Sequence, residues 1–345
     1  MSTFKVSVEA ISEVLAHPNA DRLELARLEG MAFQFVVGKG SYSVGDKVVY
    51  FPVDSLIPPP LQEKLGLVGR LSGAEKSRVK TVKLRGQISQ GVVGSAELFP
   101  AFEPGADVSE HLGVVKYEPA TVATGDADLR PLPDGVPEYD IEGADRFSAV
   151  AESLMDVVVV VTEKVEGSNF SVTYFPDGDR VEVCSKRRSI IEWPTRPHRF
   201  WNAARRHELP EFAKEISARY GDVQVTVRGE FAGPGCQKNI YNLKEHEVFV
   251  FDIMVNHVYM SPGVMRLACI RDGKTVAPVL FSGGTLRQFL EGRSIQAASD
   301  GRSLVGCKPR REGIVIKPEH EARHNEIGRL ILKQRSPAYL AKSEL

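Results

Sequence analysis

The sequence has few cysteines and no long hydrophobic segment. Its four cysteines, Cys184, Cys236, Cys269 and Cys307, form no CxxC pair, so we expect no cysteine-bound structural zinc and a reducing, cytoplasmic location. The longest apolar run, Val157–Val161, is far shorter than the roughly 20 residues that cross a bilayer. The N-terminal segment lacks the basic start and apolar core of a secretory signal. The composition, 42% hydrophobic and 26% charged, is typical of a globular protein.

The sequence also has almost no net charge, at −1, but its charges are unevenly distributed. Between Ser185 and His207 there are seven Lys or Arg residues and one acid, Glu192. Phosphate binding requires a local excess of cations and does not require the whole chain to be basic. A solvated helix face is the alternative interpretation of this segment.

The N-terminal part, residues 4–100, has the pattern of short strands separated by glycine and proline. Phe33, Phe35 and Val37 alternate with period two, as in half-buried strands. Five such strands in about 100 residues predict a small closed barrel of the OB type. The segments are KVSVEAI, LELARL, FQFVVG, KVVYFPV and RVKTVKL.

The chain changes character after this barrel. Prolines, glycines and acids in residues 116–145 predict a linker between a domain at 1–115 and a domain at 146–345. The second domain has longer apolar strands with intervening helical patterns near 195–206, 210–220 and 284–293. We therefore predict an α+β protein whose larger domain is dominated by antiparallel sheet.

One short segment, Glu163-Lys164-Val165-Glu166-Gly167, points to chemistry. A lysine at the end of an apolar strand is a nucleophile only when it is deprotonated, and burial or neighbouring cations lower a lysine pKa. Gly167 lets backbone approach a phosphate closely. A surface lysine in a turn is the alternative, and the four-residue pattern KxEG at 164–167 alone does not decide between them.

Later segments give this lysine its context. The chain continues with SKR at 185–187, RGE at 228–230, FVFDI at 249–253, EGIVIK at 312–317 and LKQR at 332–335. The ordered set resembles the nucleotidyltransferase motifs of covalent ligases and RNA capping enzymes. RGEFAGPGCQKNIY, VFVFDI and KVEGSNFSV are closer to nick-sealing RNA ligases than to DNA ligases, over about residues 147–342. Glu166 and Arg335 depart from the commonest spelling of these motifs but keep a suitable charge.

The N-terminal half carries a second resemblance. HPNADRL at 17–23, VVGK at 36–39 and LRGQISQG at 84–91 resemble an OB-fold of the tRNA-binding kind. An OB domain before the transferase domain is the arrangement of the Deinococcus-type nick-sealing RNA ligases. DNA ligases place their OB domain after the last motif, and only ten residues follow Arg335 here, so we expect an RNA ligase. The implied fold is an OB-type barrel followed by an ATP-grasp-like, antiparallel-sheet nucleotidyltransferase domain.

The resemblance implies a role for each site residue. Lys164 attacks ATP, is adenylylated, and passes AMP to a 5′-phosphate that a 3′-hydroxyl then attacks. Lys333, Arg335 and Glu312 are the other catalytic residues, and Lys333 and Arg335 bind the α-phosphate. Nucleotide binding falls to Glu163 at the adenine amino group, Phe251 and Val315 about the base, and Glu166, Gly167, Asn169, Arg187, Glu230 and Lys317. Mg²⁺ or Mn²⁺ is held mostly through water by Glu166, Glu230 and Glu312, and the nucleic acid is bound by Lys186, Arg188, Arg196 and Arg199.

The expected partners are ATP, a divalent metal ion and RNA or a nicked RNA-containing duplex, bound by a monomer with no membrane association. A capping-type guanylyltransferase, which takes GTP, and a non-catalytic RNA-binding protein are the alternatives. The HExxH sequence at His320–His324 follows Pro318 inside a charged run, so we expect an exposed hairpin loop rather than a zinc-binding helix.

Overall fold

The protein, seen in a computed structural model, is described at residues 4–117 and 128–343, without the side chains of 341–343. It divides into two compact units. One contains the described parts of residues 2–119, 143–151 and 337–345, and the other those of residues 120–142 and 152–336. The predicted boundaries at 1–115, 116–145 and 146–345 stay a prediction, and residues 118–127 of the predicted linker lie outside the described residues.

The first unit is built on a five-stranded antiparallel sheet of order β3-β2-β1-β4-β8. The fifth strand is Val92–Ser95 and not the predicted RVKTVKL, whose last residues form a separate hairpin. The elements of this part of the chain are β1 (Ser7–Ala16), β2 (Leu23–Leu28), β3 (Phe35–Gly38), β4 (Lys47–Phe51), β5 (Ser55–Leu56), α1 (Pro59–Lys64), β6 (Val82–Leu84), β7 (Gln87–Ser89), β8 (Val92–Ser95), a 3₁₀ turn (Ala96–Leu98) and β9 (Val115–Lys116).

The two edges of this sheet approach each other. The backbone N–H of Gln90 donates to the carbonyl of Gln34 at 3.0 Å, and that of Val36 donates to Ser89 Oγ at 3.0 Å. These bonds join the segment before β8 to the segment around β3, so the sheet curls toward a barrel. Strand β4 is buried on both faces, because Val48 and Val49 lie in different apolar clusters.

The β6–β7 hairpin is held by the loop between β1 and β2. His17 is buried, its Nε2 lies 3.2 Å from the carbonyl oxygen of Leu84, and its Nδ1 accepts from the Asn19 N–H. The Asn19 side chain donates to the carbonyl of Arg85 at 3.1 Å. His17 therefore has a structural role in joining this loop to the hairpin.

The second unit contains two antiparallel sheets. The larger has the order β10-β15-β14-β13-β16-β17-β18, and the smaller has β11-β23-β20-β12-β19. The strands are β10 (Leu129–Pro131), β11 (Glu142–Gly143), β12 (Val158–Lys164), β13 (Ser168–Phe175), β14 (Arg180–Ser185), β15 (Arg188–Ile190), β16 (Val225–Ala232), β17 (Glu247–Val255), β18 (Val258–Tyr259), β19 (Val279–Thr285), β20 (Gly313–Pro318), β21 (Arg323–His324), β22 (Gly328–Arg329) and β23 (Leu332–Arg335).

Three of the helices lie where the apolar spacing predicted them. The helices after α1 are α2 (Ser148–Ser153), α3 (Arg199–Arg206), α4 (Leu209–Arg219), α5 (Pro262–Arg271), α6 (Leu286–Leu290), α7 (Ile295–Ser299) and α8 (Pro337–Ser343). Phe200 of α3 and Phe212 of α4 share one apolar core with Phe170, Val227 and Phe231 of the larger sheet. The helices thus cover one face of that sheet.

Strand β12 explains the longest apolar run of the sequence. Val159, Val160 and Val161 are all buried, so the strand is covered on both faces and shows no alternation. It pairs with β20 so that Lys164 lies opposite Gly313. The chain then turns directly into β13 of the larger sheet, which places Lys164 where the two sheets are joined.

Two further expectations concern segments away from this junction. His320 is exposed and the HExxH segment leads into the β21–β22 hairpin, as predicted. Among residues 4–117 and 128–343, no helix is long and apolar enough to cross a membrane.

Candidate active site

The predicted residues meet in a pocket that both sheets of the second unit line. Strands β12, β20 and β23 contribute from the smaller sheet, and β13, β16 and β17 from the larger. Nine predicted site residues line it: Glu163, Lys164, Asn169, Lys186, Glu230, Phe251, Val315, Lys317 and Lys333. Residues that the sequence did not single out, including Tyr139, Asp140 and Ile141, complete the wall.

Lys164 is paired with a carboxylate. Its Nζ lies 2.8 Å from Oε1 of Glu312, the residue that precedes β20. Burial lowers the pKa of Lys164, but the carboxylates of Glu312 and Glu230 outweigh burial and raise the pKa above its ordinary value. The expected depression of this pKa is therefore wrong for this arrangement, because the nearest charges are negative.

The pKa of Lys333, by contrast, is depressed. Burial lowers the pKa of Lys333 to about 8, helped by the nearby charges of Lys164, Arg335 and Lys186 and opposed by Asp140. Three other cations thus lie within electrostatic reach of Lys333. Such a concentration of positive charge fits a phosphate group.

Three carboxylates surround the other side of Lys164. Burial raises the pKa of Glu230 to about 8. The negative charges of Glu312 and Glu166 also raise this pKa, whereas the positive charge of Lys164 lowers it. Glu166 is held by its backbone N–H, which donates to Tyr241 Oη at 2.5 Å, and by Oε1, which accepts from the Lys238 N–H. In the described ranges 4–117 and 128–343, no three His, Cys, Asp or Glu side chains are close enough to bind a metal ion directly. Binding of a divalent ion by Glu166, Glu230 and Glu312 mostly through water stays a prediction.

Gly167 and Gly313 are required by neighbouring strands. A Cβ on Gly167 would lie 2.4 Å from the carbonyl oxygen of Phe231, and one on Gly313 would lie 2.1 Å from that of Gln334. Neither approach is tolerated, so only glycine fits at either position. The predicted glycine–phosphate approach at Gly167 is thus not needed to explain this residue.

The interior of the pocket is suited to a nucleoside. Phe251 is half-buried and Val315 is buried, and both line the cavity. Two buried side-chain oxygens, Glu163 Oε1 and Asn169 Oδ1, have no hydrogen-bond partner within the described part of the chain. Unpaired buried acceptors are costly unless a ligand donates to them. The wall thus offers a flat ring and two acceptors for donors such as an amino group and a hydroxyl.

Lys317 belongs to an ionic network behind Phe251. Its Nζ lies 3.0 Å from Asp252 Oδ1 and donates to the carbonyl of Phe251 at 2.6 Å. Arg329 and Tyr139 bind the other oxygen of Asp252, at 2.6 and 2.5 Å. These cations hold the pKa of Asp252 at about 2 despite its burial.

The sequence interpretation missed three members of this network. Asp252 stands inside the VFVFDI segment but received no role, and Arg329 and Tyr139 lie in hairpin and linker segments without a recognisable motif. Buried ion pairs of this kind fix backbone position, here that of Phe251. They fix the wall against which a base would stack.

The remaining predicted nucleic-acid residues do not line the pocket. Arg188 is exposed on β15, Arg196 pairs with Asp128 at 2.6 Å, and Arg199 donates to the carbonyl of Gly235 at 2.9 Å. Arg187 pairs with Glu138 at 2.9 Å. Lys186 is the member of the basic cluster that reaches the pocket wall.

Comparisons with known proteins agree with both halves of the chain. A family profile described as RNA ligase matches residues 157–335, and one described as an OB-fold domain matches residues 5–95. A search of curated proteins gives no match.

Solved structures of an RNA ligase from Naegleria gruberi are similar over nearly the whole chain. A lysine-to-methionine mutant with AMP and Mn is 26% identical, with a TM-score of 0.80 and 98% of each chain covered. A glutamate-to-alanine mutant with ATP and Mn is 25% identical, with a TM-score of 0.80 and the same coverage. The ligase with PPi is 26% identical, with a TM-score of 0.79 and 98% of each chain covered. The predicted fold, an OB-type barrel followed by a nucleotidyltransferase domain, is confirmed.

Proposed function

This chain belongs to the RNA ligase family, and we propose that it seals nicks in RNA-containing duplexes with ATP, using Lys164 as the nucleophile. The observation that carries the proposal is the pocket itself. It places the Lys164 amine between buried carboxylates and a group of cations, beside an aromatic ring and unpaired acceptors.

Lys164 acts in the first transfer. Its nitrogen attacks the α-phosphorus of ATP, a P–N bond forms, and the P–O bond to pyrophosphate breaks. The amine must first lose a proton, and Glu312 Oε1 at 2.8 Å is a base in contact with it. Lys333 and Arg335 balance the charge that develops on the phosphate oxygens, so this end of the pocket contributes electrostatic stabilisation.

A divalent ion fits the same site through water. Glu166, Glu230 and Glu312 would hold it, and it would supply positive charge beside these carboxylates and the α-phosphate oxygens. Burial is the main cause of the raised pKa of Glu230, and the charges of Glu312 and Glu166 add to it, so a cation beside these three carboxylates would offset their mutual repulsion. Mg²⁺ and Mn²⁺ both suit carboxylate and water ligands.

Two further transfers complete the reaction. The 5′-phosphate of one strand attacks the lysyl adenylate, which releases Lys164 and forms a 5′-adenylylated end. The 3′-hydroxyl then attacks that end, a phosphodiester forms and AMP leaves. Lys186 lines the pocket wall and is the candidate for binding the phosphate, while Arg188, Arg196 and Arg199, which lie outside that wall, are candidates for binding the strand backbone.

Base selectivity favours ATP over GTP. The unpaired Glu163 Oε1 suits the amino group of adenine, whereas guanine presents a carbonyl oxygen at the same position. The capping-type alternative, which requires GTP, is therefore the weaker interpretation. Adenylation assays with labelled ATP and GTP in parallel distinguish the two.

The OB-type unit is proposed to bind the nucleic acid. Its β6–β7 hairpin exposes Lys83 and Arg85, and barrels of this type bind oligonucleotides through such loops. Replacing both with alanine is expected to weaken binding to a nicked duplex while self-adenylation is unchanged. Unchanged binding to the duplex would remove this role.

Sealing assays test the proposed function as a whole. Nicked duplexes with ribose or deoxyribose at the 3′-hydroxyl end are compared with single strands of the same sequence. We expect sealing of the ribose-ended nick to be fastest. We also propose that the protein acts as a monomer in the cytoplasm. Equal sealing of single strands would contradict nick specificity, and no sealing of any substrate would contradict the proposal.

A further inference from the structure

The pocket contains a carboxylate between two of its cations. Asp140 Oδ2 lies 3.0 Å from Lys186 Nζ, and Asp140 Oδ1 lies 3.6 Å from Lys333 Nζ. Lys186 follows β14 of the larger sheet, and Lys333 is on β23 of the smaller one. One acid therefore bridges lysines from both sheets at the cationic end of the pocket.

The residues on either side of Asp140 hold it there. Glu138 lies 3.6 Å from Lys186 and 2.9 Å from Arg187, so a second acid is paired with Lys186 and with the arginine that follows it. Tyr139 places its ring 5.0 Å from that of Phe251 and donates to Asp252. Residues 138–140 are thus fixed to the pocket at three successive positions.

Asp140 has two oxygens directed at two ammonium groups, which is the arrangement that a phosphate would make with the same lysines. A carboxylate in this place has two consequences for an incoming phosphate. It takes one hydrogen bond from Lys186 and pairs with Lys333, and it repels the negative charge of the phosphate oxygens. Both consequences weaken binding of the phosphate but leave an uncharged nucleoside unaffected.

We propose that Asp140 stands in the place of a substrate phosphate on Lys186 and Lys333, and that it sets the affinity of the pocket for nucleotide phosphate. A phosphate must displace the carboxylate before it binds both lysines. Asp140 is in this sense an affinity-determining residue of the site. The inference rests on the proposed function only in taking the ligand to be an adenine nucleotide.

The ionic contacts also permit a purely structural role for Asp140, in which it stabilises the fold without competing with ligand. The two roles predict opposite changes in phosphate affinity when Asp140 is replaced. Removing a competitor tightens phosphate binding, whereas removing a structural support loosens the site and weakens the binding of every ligand.

Calorimetric binding of AMP and adenosine separates the two roles. Full-length wild type is compared with Asp140→Asn, which keeps the shape of the side chain and removes its charge. The titrations are run below neutral pH, where Lys333, whose pKa is about 8, stays protonated. We expect AMP to bind about fivefold more tightly to Asp140→Asn, since removing one repulsive charge near 4 Å in a water-like dielectric is worth about 1 kcal/mol. Adenosine, which lacks phosphate, is expected to bind both proteins equally.

The matched control is Asp134→Asn, an exposed acid that lies outside the pocket wall. It makes the same change in net charge and should leave both affinities unchanged. Asp140→Ala is the second variant and should change AMP affinity in the same direction as Asp140→Asn, with melting temperatures confirming that each protein is folded.

The inference is overturned if AMP binds the Asp140 variants no more tightly than wild type, or if adenosine affinity changes in parallel with AMP. Failure of the proposed function has a different signature, which is wild-type protein that forms no lysyl adenylate from ATP. If wild type is adenylylated by ATP but the Asp140 variants bind AMP no more tightly than wild type, only this inference is contradicted.

Discussion

Lys164 Nζ and Glu312 Oε1 lie 2.8 Å apart, as an ion pair at the point where the two sheets of the second unit are joined. The pair holds the amine in the pocket but also raises its pKa, so position and reactivity are in conflict. A lysine that must react at neutral pH therefore needs this carboxylate to be neutralised during the reaction.

The first prediction concerns the pH dependence of self-adenylation. Lys164 reacts only when deprotonated, so the rate should rise with pH toward a plateau. Glu312→Gln removes a charge that raises the pKa of Lys164, and the midpoint of the profile should move to lower pH. The plateau rate should also fall, because Glu312 is a proposed metal residue. Exposed Glu326→Gln serves as the control, and a midpoint that stays in place or rises in Glu312→Gln contradicts the assignment.

The second prediction concerns stability of the metal-free protein. The pKa of Glu230 is raised from 4.5 to about 8, so its contribution to stability is present below 4.5 and is lost as pH rises through about 8. Glu230→Gln lacks this loss. The melting temperature of the variant, relative to wild type, should increase steadily across that interval. Exposed Glu63→Gln should show a constant difference, and a constant difference for Glu230→Gln as well would rule out the raised pKa.

The third prediction concerns base selectivity. Wild type should prefer ATP to GTP by about tenfold or more, the range expected when a buried acceptor is satisfied by one base only. Glu163→Gln introduces an amide that both donates and accepts, so the preference should shrink. The ratio of kcat/KM values for adenylation and guanylation measures it. Glu211→Gln on the exposed face of α4 is the control, and undiminished selectivity in Glu163→Gln means that the base is read elsewhere.

The fourth prediction concerns stacking on Phe251. Phe251→Leu keeps an apolar side chain but removes the aromatic face, which is worth about 0.5–1.5 kcal/mol in such contacts. We expect KM for ATP to rise several-fold with little change in kcat. Phe281→Leu, in a ring pair with Phe289 away from the pocket, is the control. A KM equal to that of wild type would exclude stacking on this ring.

Sequence alone predicted the parts of the site that local pattern determines. The run before Lys164 is apolar without alternation because β12 is buried on both faces. The motifs then place Glu230, Phe251 and Lys333 on strand positions, and sheet pairing brings those strands together. Here the local sequence and the tertiary arrangement agree.

Sequence did not predict the features that depend on long-range electrostatics. The pKa of Lys164 is decided by how closely Glu312 approaches, and nothing in the EGIVIK segment encodes that distance. Asp140 lies in a proline-rich stretch whose composition indicates a linker, and its contacts with Lys186 and Lys333 arise only from the fold.

The fifth strand of the N-terminal barrel shows a different limit. RVKTVKL has the β-branched alternation of a strand, and Val92–Ser95 is short and contains a glycine. The structure nevertheless pairs Val92–Ser95 with β4, because strand order is a tertiary property. Propensity identified a strand but not its place in the sheet.

Intact mass spectrometry after incubation with ATP and Mg²⁺ tests the central claim most directly. Wild type should gain the mass of a single AMP group, Lys164→Ala should gain none, and Lys186→Ala should still gain it, because Lys186 is not the nucleophile. An unmodified wild-type protein under these conditions, or an AMP adduct that persists in Lys164→Ala, would contradict the account.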